Sequence, residues 1–288
     1  MFQDYLFSAV DQNVRYAVRM LHMSHVARHA QKVHQLNAGR AVLLSDALLG
    51  SLLLSSILDN EDIINLRIQC GSDFTIGTES TYEGHTRGYI ECAPGAEHPL
   101  IEALDGGELP PALPLHVRTL RSPRDKKQQL YEGNSFCVAA SVEEAINEHL
   151  TTSYQMQTFV KLSSWVDKTG QLCAFGALYQ ELPDIAPEVS QGLKQHIQML
   201  PSLQTLYEEN SDPDVLAARL VPDVIRGLKS VTPQFVCTCS PTKMEQALAL
   251  LGSKEIQDMI AKKESPQIRC HYCNVTYTVE TSRLEVLL

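Results

Sequence analysis

The sequence predicts an α+β fold in three parts: a mixed α/β-sheet domain over residues 1–182, a helical linker over 183–234 and a small four-cysteine domain over 235–288. In the first part, alternating strand patterns precede and follow the helical patterns, which is typical of α+β domains. In the second, prolines divide an acidic helical stretch into short pieces. The third part contains two closely spaced cysteine pairs.

Composition and charge exclude several classes of protein. A hydrophobic content of 44% and a charged content of 20% are those of an ordinary globular chain. The net charge of −10 argues against binding to nucleic acid, because a nucleic-acid surface needs an excess of Lys and Arg. The N-terminus lacks the basic and apolar regions of a signal peptide. The apolar stretch 41–58 is interrupted by polar residues, so we expect no membrane span or membrane partner. A cytoplasmic location follows, in which the eight cysteines are reduced.

The first elements are a strand, a helix and a longer apolar helix. Residues 13–20 alternate as a strand does, and 22–35 have a helical pattern. His22, His25 and His29 share one face of that helix, but no carboxylate stands at a useful spacing, so they indicate a polar face rather than a metal site. Residues 38–58 are apolar around most of the helix circumference, which predicts the central buried helix.

The middle of the chain predicts a β-rich region without an active site. Ser141 and Glu144 suggest a capping box for a helix over 141–154, and 94–114 is expected to be an irregular loop. No Gly-rich phosphate loop, nucleotide fingerprint or nucleophile elbow occurs, so we predict no enzymatic activity. The strands are expected at 63–70, 74–78, 87–93, 115–120, 134–140, 157–166 and 171–182. Four of their cysteines lack paired spacing and are expected to be buried and inert: Cys70, Cys92, Cys137 and Cys173.

The linker predicts three short amphipathic helices, at 185–199, 201–209 and 213–220. Short helices of this kind have little core of their own, so they must pack on a neighbouring domain. A plain helical spacer is the alternative.

The cysteines near the C-terminus predict a metal centre. Cys237 and Cys239 form one pair, and Cys270 and Cys273 form the other. Two such pairs provide the four thiolates of a tetrahedral zinc site, with sulfur at about 2.3 Å from the metal. We therefore predict one Zn²⁺ per chain. A unit as short as 235–288 buries too little surface to be comfortably stable alone, whereas structural zinc supplies roughly 10–16 kcal/mol of coupled folding energy.

Local patterns place these cysteines between short elements. A strand ends near Cys237, and a helix follows with Thr242 and Glu245 as a capping box and Gly252 as its C-cap. Met244, Ala247, Leu248 and Leu251 are expected on its inner face. Ser253 is expected to cap a second helix, and 275–279 alternate as a final strand.

Three alternative functions would depend on the same cysteines. A zinc ribbon that binds nucleic acid is opposed by the charge of −10. A zinc enzyme needs an open coordination position, which four thiolates close, and His271 beside them is then a bystander. A thiol–disulfide oxidoreductase would use the Cys270–Cys273 motif at the start of a helix in a βαβ unit, and that context is missing.

Four motifs resemble the heat-shock protein 33 family of redox-regulated chaperones. They are Cys-Thr-Cys-Ser at 237–240, Leu-Leu-Gly at 250–252, Glu-Ile-Gln-Asp-Met-Ile at 255–260 and Cys-His-Tyr-Cys at 270–273. The order of the three parts also agrees, so the resemblance covers essentially the whole chain. The sequence departs from the family pattern at 70–73, 152–155 and 175–176.

The resemblance implies an ATP-independent holdase that binds unfolding client proteins under oxidative stress. In the reduced state the four thiolates hold zinc. Oxidation then forms the disulfides Cys237–Cys239 and Cys270–Cys273, releases the metal, and unfolds the C-terminal domain and linker. The family also implies a homodimer in the oxidised state.

Overall fold

The computed structural model describes residues 3–58, 62–93, 98–123, 130–154 and 157–287, with only the backbone described at Tyr154. The chain forms two compact units, Met1–Phe235 and Val236–Leu288. Sheets and helices occur in both, which confirms the predicted α+β class. The further boundary between residues 182 and 183 stays a prediction.

Eleven strands lie in the described part of the N-terminal unit and two in the C-terminal unit. Their bounds are β1 Tyr5–Asp11, β2 Tyr16–His22, β3 Asp62–Cys70, β4 Phe74–Thr81, β5 His85–Cys92, β6 Leu113–Pro123, β7 Tyr131–Ala139, β8 Thr158–Val166, β9 Leu172–Glu181, β10 Ile225–Val231, β11 Gln234–Phe235, β12 Gln267–Arg269 and β13 Thr276–Thr278.

The helices are distributed in the same way, and the last three belong to the C-terminal unit. Their bounds are α1 Ser24–His34, α2 Ala38–Ser55, α3 Pro99–Gly106, α4 Val142–His149, α5 Pro187–Met199, α6 Leu203–Glu209, α7 Pro213–Leu220, α8 Pro241–Ala249, α9 Ser253–Ala261 and α10 Thr281–Leu284. A π-helix at Leu150–Tyr154 continues α4, and a 3-10 turn at Glu285–Leu287 follows α10.

Two sheets organise the N-terminal unit. The five-stranded sheet has the order β10-β1-β2-β9-β8, and every neighbouring pair is antiparallel. The six-stranded sheet has the order β11-β5-β4-β3-β6-β7, in which only the β11/β5 pair is parallel. Among the residues that the structure describes, the last strand of this sheet, β7, has a partner strand on one side only.

Helix α2 is the centre of the main core, as predicted. Its leucines are buried in one cluster together with side chains of both sheets, including Leu66 of β3 and Leu178 of β9. A Cβ at Gly39 would lie 2.7 Å from the carbonyl oxygen of Ile101, so the absence of a side chain allows close packing against α3. By length and hydropathy alone, with a mean of 1.4, α2 is apolar enough to cross a membrane, but 78% of it is buried inside the protein. This is the environment of a core helix.

Helices α5, α6 and α7 pack on the outer face of the five-stranded sheet. The hydroxyl of Tyr179 on β9 donates a hydrogen bond to the carbonyl oxygen of Leu220 at 3.2 Å. The three helices thus pack on the sheet within the same compact unit and have little core of their own. A second core results, in which the six buried leucine and isoleucine side chains of the linker pack on aromatic and aliphatic sheet residues: Leu193, Ile197, Leu203, Leu206, Leu216 and Leu220 on Tyr16, Val18, Met20, Trp165, Phe175 and Tyr179.

Several local predictions need correction. The linker is not wholly helical, because its residues 225–231 form β10, which pairs with the equally unpredicted β1. The expected loop over 94–114 contains α3, where Pro99 occupies the first turn and Gly107 ends the helix at φ 71°; residues 94–97 lie outside the described ones. The N-terminal strand is displaced to 16–22, so His22 belongs to β2 rather than to α1.

The capping box at Ser141 is half formed. The Ser141 hydroxyl accepts a hydrogen bond from the Glu144 backbone N–H at 3.1 Å. The Glu144 carboxylate, however, accepts from the N–H of Ala140 rather than from that of Ser141.

The four cysteines outside the C-terminal unit are half-buried rather than buried: Cys70, Cys92, Cys137 and Cys173. Burial nevertheless raises the pKa of Cys70, Cys137 and Cys173 above that of a free thiol. These three thiols are therefore weak nucleophiles at neutral pH, as expected.

His149 makes the stability of the N-terminal unit sensitive to acid. Its side chain is fully buried, with Nδ1 2.7 Å from the Ser135 hydroxyl and Nε2 2.8 Å from that of Thr119. Burial lowers the pKa of His149 to about 4. As the pH falls, His149 is protonated at about pH 6.5 in the unfolded chain but only at about pH 4 in the folded protein. The free energy of unfolding therefore decreases as the pH falls from about 6.5 towards 4.

Urea unfolding at pH 7 and pH 5 measures this loss. We expect His149 to contribute about 2 kcal/mol of the decrease between these pH values. A His149→Gln variant should show a decrease smaller by that amount. An equal decrease in both proteins would contradict the assignment.

Candidate metal centre

The first cysteine pair lies in extended backbone immediately before α8. Ser240 ends this segment as the N-cap of α8, because its hydroxyl accepts a hydrogen bond from the Lys243 N–H. The Lys243 ammonium group donates to the carbonyl oxygen of Thr238 at 2.8 Å and to its hydroxyl at 3.1 Å. The residue between Cys237 and Cys239 is thereby held to the first turn of the helix.

The second pair lies in the turn between β12 and β13. The N–H of Cys270 donates to the carbonyl oxygen of Val275, and the N–H of Asn274 donates to that of Cys270, both at 2.9 Å. Asn274 has a φ of 59°, a left-handed conformation that asparagine tolerates better than most residues. The Asn274 side chain also accepts from Arg269 Nε at 2.9 Å. Cys270 and Cys273 therefore occupy a closed turn rather than the start of a helix.

These two segments bring together the four predicted cysteines. All four Sγ atoms lie within 4.8 Å of one another. Sulfur atoms of the two pairs meet at 3.7 Å between Cys237 and Cys270 and at 3.3 Å between Cys239 and Cys273. Tetrahedral coordination with sulfur at about 2.3 Å from the metal places sulfur atoms roughly 3.8 Å apart. The cluster thus fits a metal ion, and His271 is not part of it.

The environment of the cluster favours negative charge on one sulfur, that of Cys239. Burial opposes a thiolate at Cys239, but hydrogen bonds from the Tyr277 hydroxyl and the other three thiols outweigh it and lower the pKa to about 7. Burial raises the pKa of Cys270 and of Cys273. The donated hydrogen bond to Cys239 raises the pKa of Tyr277 to about 12. Four thiolates at this spacing would repel one another, so a cation is needed to hold all of them.

The apolar core around the metal centre is small. In the described residues of this unit, only Leu248, Ile256, Val279 and Leu284 form its fully buried part. Arg283 of α10 adds a two-point ion pair to Glu245 of α8, with N–O distances of 2.9 and 2.7 Å. A core of this size leaves the fold dependent on the cysteine cluster.

Several sequence predictions for this unit were wrong in detail. The N-cap of α8 is Ser240 rather than Thr242, and Glu245 pairs with Arg283 instead of completing a capping box. Gly252, at φ 92°, precedes α9 as its N-cap, and Ser253 is the first helical residue. On α8, Leu248 is buried as expected, whereas Leu251 is 54% exposed.

Sequence reasoning also missed the Tyr277 hydroxyl, which lies 3.1 Å from Cys239 Sγ. Its only signal is the alternation of Val275, Tyr277 and Val279, which shows that the three share a face but not that the hydroxyl reaches a sulfur. Groups that donate hydrogen bonds to a ligand atom orient that ligand and tune the metal.

A Tyr277→Phe variant should therefore bind its metal more weakly. We expect the affinity to fall about tenfold, since loss of an outer-shell partner typically costs 10–100-fold. Competition with a chromophoric chelator measures the change. Tyr131→Phe, at a residue of the N-terminal unit that is 60% exposed, is the control and should keep the unmodified affinity; equal affinities in all three proteins would contradict a role for the Tyr277 hydroxyl.

Comparison with known proteins identifies similar chains along the full length. The sequence profile of a family described as Hsp33 protein matches residues 4–280. The 33 kDa chaperonin of Desulfotalea psychrophila is 29% identical over 259 residues, which cover 88% of this chain and 86% of that one. The 33 kDa chaperonin of Desulforamulus reducens is 25% identical over 292 residues, covering 99% and 97%.

A solved structure has the same fold. The crystal structure of the 33 kDa chaperonin (heat shock protein 33 homolog) from Thermotoga maritima superposes with a TM-score of 0.84 at 22% identity. The superposition covers 99% of this chain and 98% of that one.

Proposed function

The chain belongs to the Hsp33 protein family, and on that premise we propose that it is a redox-regulated, ATP-independent chaperone that holds unfolding proteins during oxidative stress. One observation carries the proposal: four cysteine sulfurs lie within 4.8 Å of one another in a unit that has only a small apolar core. The fold of that unit therefore depends on the oxidation state of its thiols. The curated relatives, named as chaperonins, agree with this function.

In the reduced state we propose that Cys237, Cys239, Cys270 and Cys273 hold one Zn²⁺ per chain. Zinc, when bound, supplies a soft cation that neutralises the thiolates and joins the two cysteine segments. Lys243 and Asn274 keep those segments in place, and Tyr277 orients Cys239. With four sulfur ligands the centre has no open position, so its role is structural and no catalytic residue is proposed.

Oxidation begins at a thiolate sulfur. The sulfur attacks one oxygen of a peroxide such as H₂O₂, the O–O bond breaks, and a sulfenic acid forms while the other oxygen leaves as hydroxide and takes up a proton. A second cysteine sulfur then attacks the sulfenic sulfur, its proton leaves with the hydroxyl as water, and a disulfide forms. Each disulfide thus consumes two thiols and one peroxide and yields two waters. Its sulfurs can no longer act as thiolate ligands.

We propose that the disulfides are Cys237–Cys239 and Cys270–Cys273, as in the family. In the folded cluster, sulfur atoms of different pairs also lie close together, at 3.3 and 3.7 Å. Once the unit opens, however, the cross-pair sulfurs separate, whereas the partners within each pair stay joined by one or two residues. Short loops close at a lower entropy cost than long ones. The near-neighbour pairing is therefore favoured in the unfolded unit.

Unfolding of the C-terminal unit is proposed to spread to the linker, 183–234, which directly precedes it in the chain. Helices α5, α6 and α7 are short and are held mainly by the six apolar side chains that contact the five-stranded sheet. Their release would expose Tyr16, Met20, Phe175 and Tyr179 on the sheet. A contiguous apolar surface of this kind binds the apolar segments of unfolding proteins.

The further parts of the proposal are a cytoplasmic location and a homodimer in the oxidised state. The absence of nucleotide motifs from the sequence supports a mechanism without ATP. The net charge of −10 supports a partner other than nucleic acid, and the burial of α2 supports a chain without a membrane span.

The decisive experiment measures metal, thiols and chaperone activity together. Hydrogen peroxide with mild heating should release one zinc per chain, remove four free thiols, and start suppression of the thermal aggregation of a model client such as citrate synthase. Tryptic mass mapping identifies the disulfides. The control is a variant with Cys70, Cys92, Cys137 and Cys173 changed to serine, which should respond in the same way. If the oxidised, zinc-free protein leaves aggregation unchanged, the chaperone proposal fails.

A further inference from the structure

A second apolar surface lies at the free edge of the six-stranded sheet, away from the linker helices. Strand β7 ends this sheet, and α4 runs beside it. Between them lies a cavity of about 770 Å³, here called the edge groove, within the usual size range of binding clefts. Its lining residues are Pro114, Phe136, Cys137, Val138, Glu144, Asn147, Glu148 and Thr151.

The backbone of β7 presents hydrogen-bonding groups to this groove. The carbonyl oxygen of Asn134 accepts a hydrogen bond from the hydroxyl of Ser153, a residue of the π-helix and not of the sheet, at 3.0 Å. In an antiparallel pair the residues point their N–H and C=O alternately towards and away from the partner strand. Phe136 and Val138 follow Asn134 at steps of two, so their backbone groups also point away from β6. An added strand could pair with them.

The side chains of the same two residues are exposed. Phe136 is 81% exposed and Val138 is 72% exposed. The Phe136 ring is held in place by stacking on His116 of β6, with ring centroids 4.4 Å apart and planes 9° apart. A strand edge with large, ordered apolar side chains and outward backbone groups is the usual template for strand addition.

The charge of the groove selects among the strands that it can take. Glu144 and Glu148 line its α4 side, and Lys and Arg are absent from the lining residues. Cys137 faces that same side, since side chains alternate along β7. A paired strand would therefore place one set of side chains beside Phe136 and Val138, and the alternate set beside the two carboxylates.

We propose that the edge groove binds an extended segment of an unfolding client by strand addition to β7, with apolar and basic residues alternating along the segment. This inference rests on the proposed chaperone function and adds a second client surface to it. A second copy of this chain is a poor occupant, because pairing of two β7 edges would bring Glu144 and Glu148 of both copies together.

Binding of short synthetic peptides to the full-length protein tests the proposal. The probe is a fluorescein-labelled eight-residue peptide that alternates valine and lysine, measured by fluorescence anisotropy with the reduced and the peroxide-oxidised protein. One comparison peptide replaces lysine by glutamate. Another carries N-methyl groups on alternate amides, which removes the donors needed for strand pairing.

Three variants change the groove while leaving buried residues intact. Phe136→Ser removes apolar contact, and Val138→Pro removes an outward N–H, which an edge strand tolerates. Glu148→Lys reverses a charge on the groove wall. The matched control is Leu109→Ser, at a residue that is 95% exposed and not among the lining residues.

We expect Phe136→Ser and Val138→Pro to weaken binding of the valine–lysine peptide about tenfold, and N-methylation to weaken it to a similar extent. Glu148→Lys leaves one carboxylate, Glu144, beside the new ammonium group, so it should abolish the preference for the lysine peptide over the glutamate peptide. The control should bind as the unmodified protein does. Unchanged dissociation constants in the three variants would overturn the proposal, as would equal binding of the N-methylated peptide, a result that needs no variant to fold.

The two proposals fail separately. If the unmodified oxidised protein suppresses client aggregation but the groove variants bind the peptide normally, only the edge groove is refuted. If the unmodified oxidised protein does not suppress client aggregation, the chaperone function is refuted. The peptide data still report whether β7 accepts an added strand. A stable dimer through β7, detected by its loss in Val138→Pro, would also overturn the client assignment.

Discussion

Cys270→Ser is expected to unfold residues 236–288 at neutral pH while the N-terminal unit stays folded. Cys270 is the most buried of the four ligands, at 6% exposure, and serine cannot replace a soft thiolate at zinc. Removal of structural zinc costs on the order of 10 kcal/mol, which the four-residue core of this unit cannot offset. Hydrogen exchange with mass spectrometry measures the loss of protection, and metal analysis measures the loss of zinc.

Cys137→Ser is the matched control. Its thiol is half-buried and lies outside the cluster, on β7. This variant should keep one zinc per chain and normal protection over 236–288. Retention of both metal and protection in Cys270→Ser would contradict the dependence of the unit on four thiolates.

Leu206→Ala is expected to switch on chaperone activity without an oxidant. Leu206 of α6 is fully buried in the contact between the linker helices and the five-stranded sheet. Truncation of a buried leucine to alanine costs about 2–5 kcal/mol, which is a large part of what a short helix gains by packing. The reduced, zinc-loaded variant should therefore suppress client aggregation and exchange its amide hydrogens over 183–234 faster than the unmodified protein.

Val215→Ala on α7 tests whether the effect is specific. Val215 is 38% exposed, so its truncation removes little buried area and should leave the reduced protein inactive. If Leu206→Ala loosens the linker but stays inactive until it is oxidised, release of α5–α7 is not sufficient for client binding. That result would separate the linker from the client-binding step.

Strong periodic patterns in the sequence were reliable guides to the fold. Helix α2 begins at the predicted residue, Ala38, because its apolar side chains cover most of the helix surface and can be satisfied only inside a core. Helix α7 matches its prediction at both ends, where Pro213 fixes the first turn and Asp212 accepts hydrogen bonds from Asp214 and Val215.

Weakly patterned strands were missed for a physical reason. Strand β10 is mostly exposed, and its residues Ile-Arg-Gly-Leu-Lys-Ser-Val do not alternate clearly. It is a strand because β1 offers it a long antiparallel register, from Leu6 with Val231 to Asp11 with Ile225. Such pairing is a non-local interaction, which no local pattern records. The pKa of the Asp11 carboxylate also depends on the folded structure. It is lowered because hydrogen bonds from Tyr16 and Arg15 outweigh the effect of burial.

The sequence by itself determined which four cysteines could form a metal site, since Cys-x-Cys and Cys-x-x-Cys spacing constrains two thiols to one turn regardless of the rest of the fold. It also determined the amphipathic character of the linker helices. Tertiary structure alone decided how the two cysteine pairs meet, with Cys239 3.3 Å from Cys273 and 3.1 Å from the Tyr277 hydroxyl. It alone decided which sheet the linker covers and which strand edge stays open. Those outcomes depend on contacts between residues far apart in the chain, whose free energies arise only when the sheets are assembled.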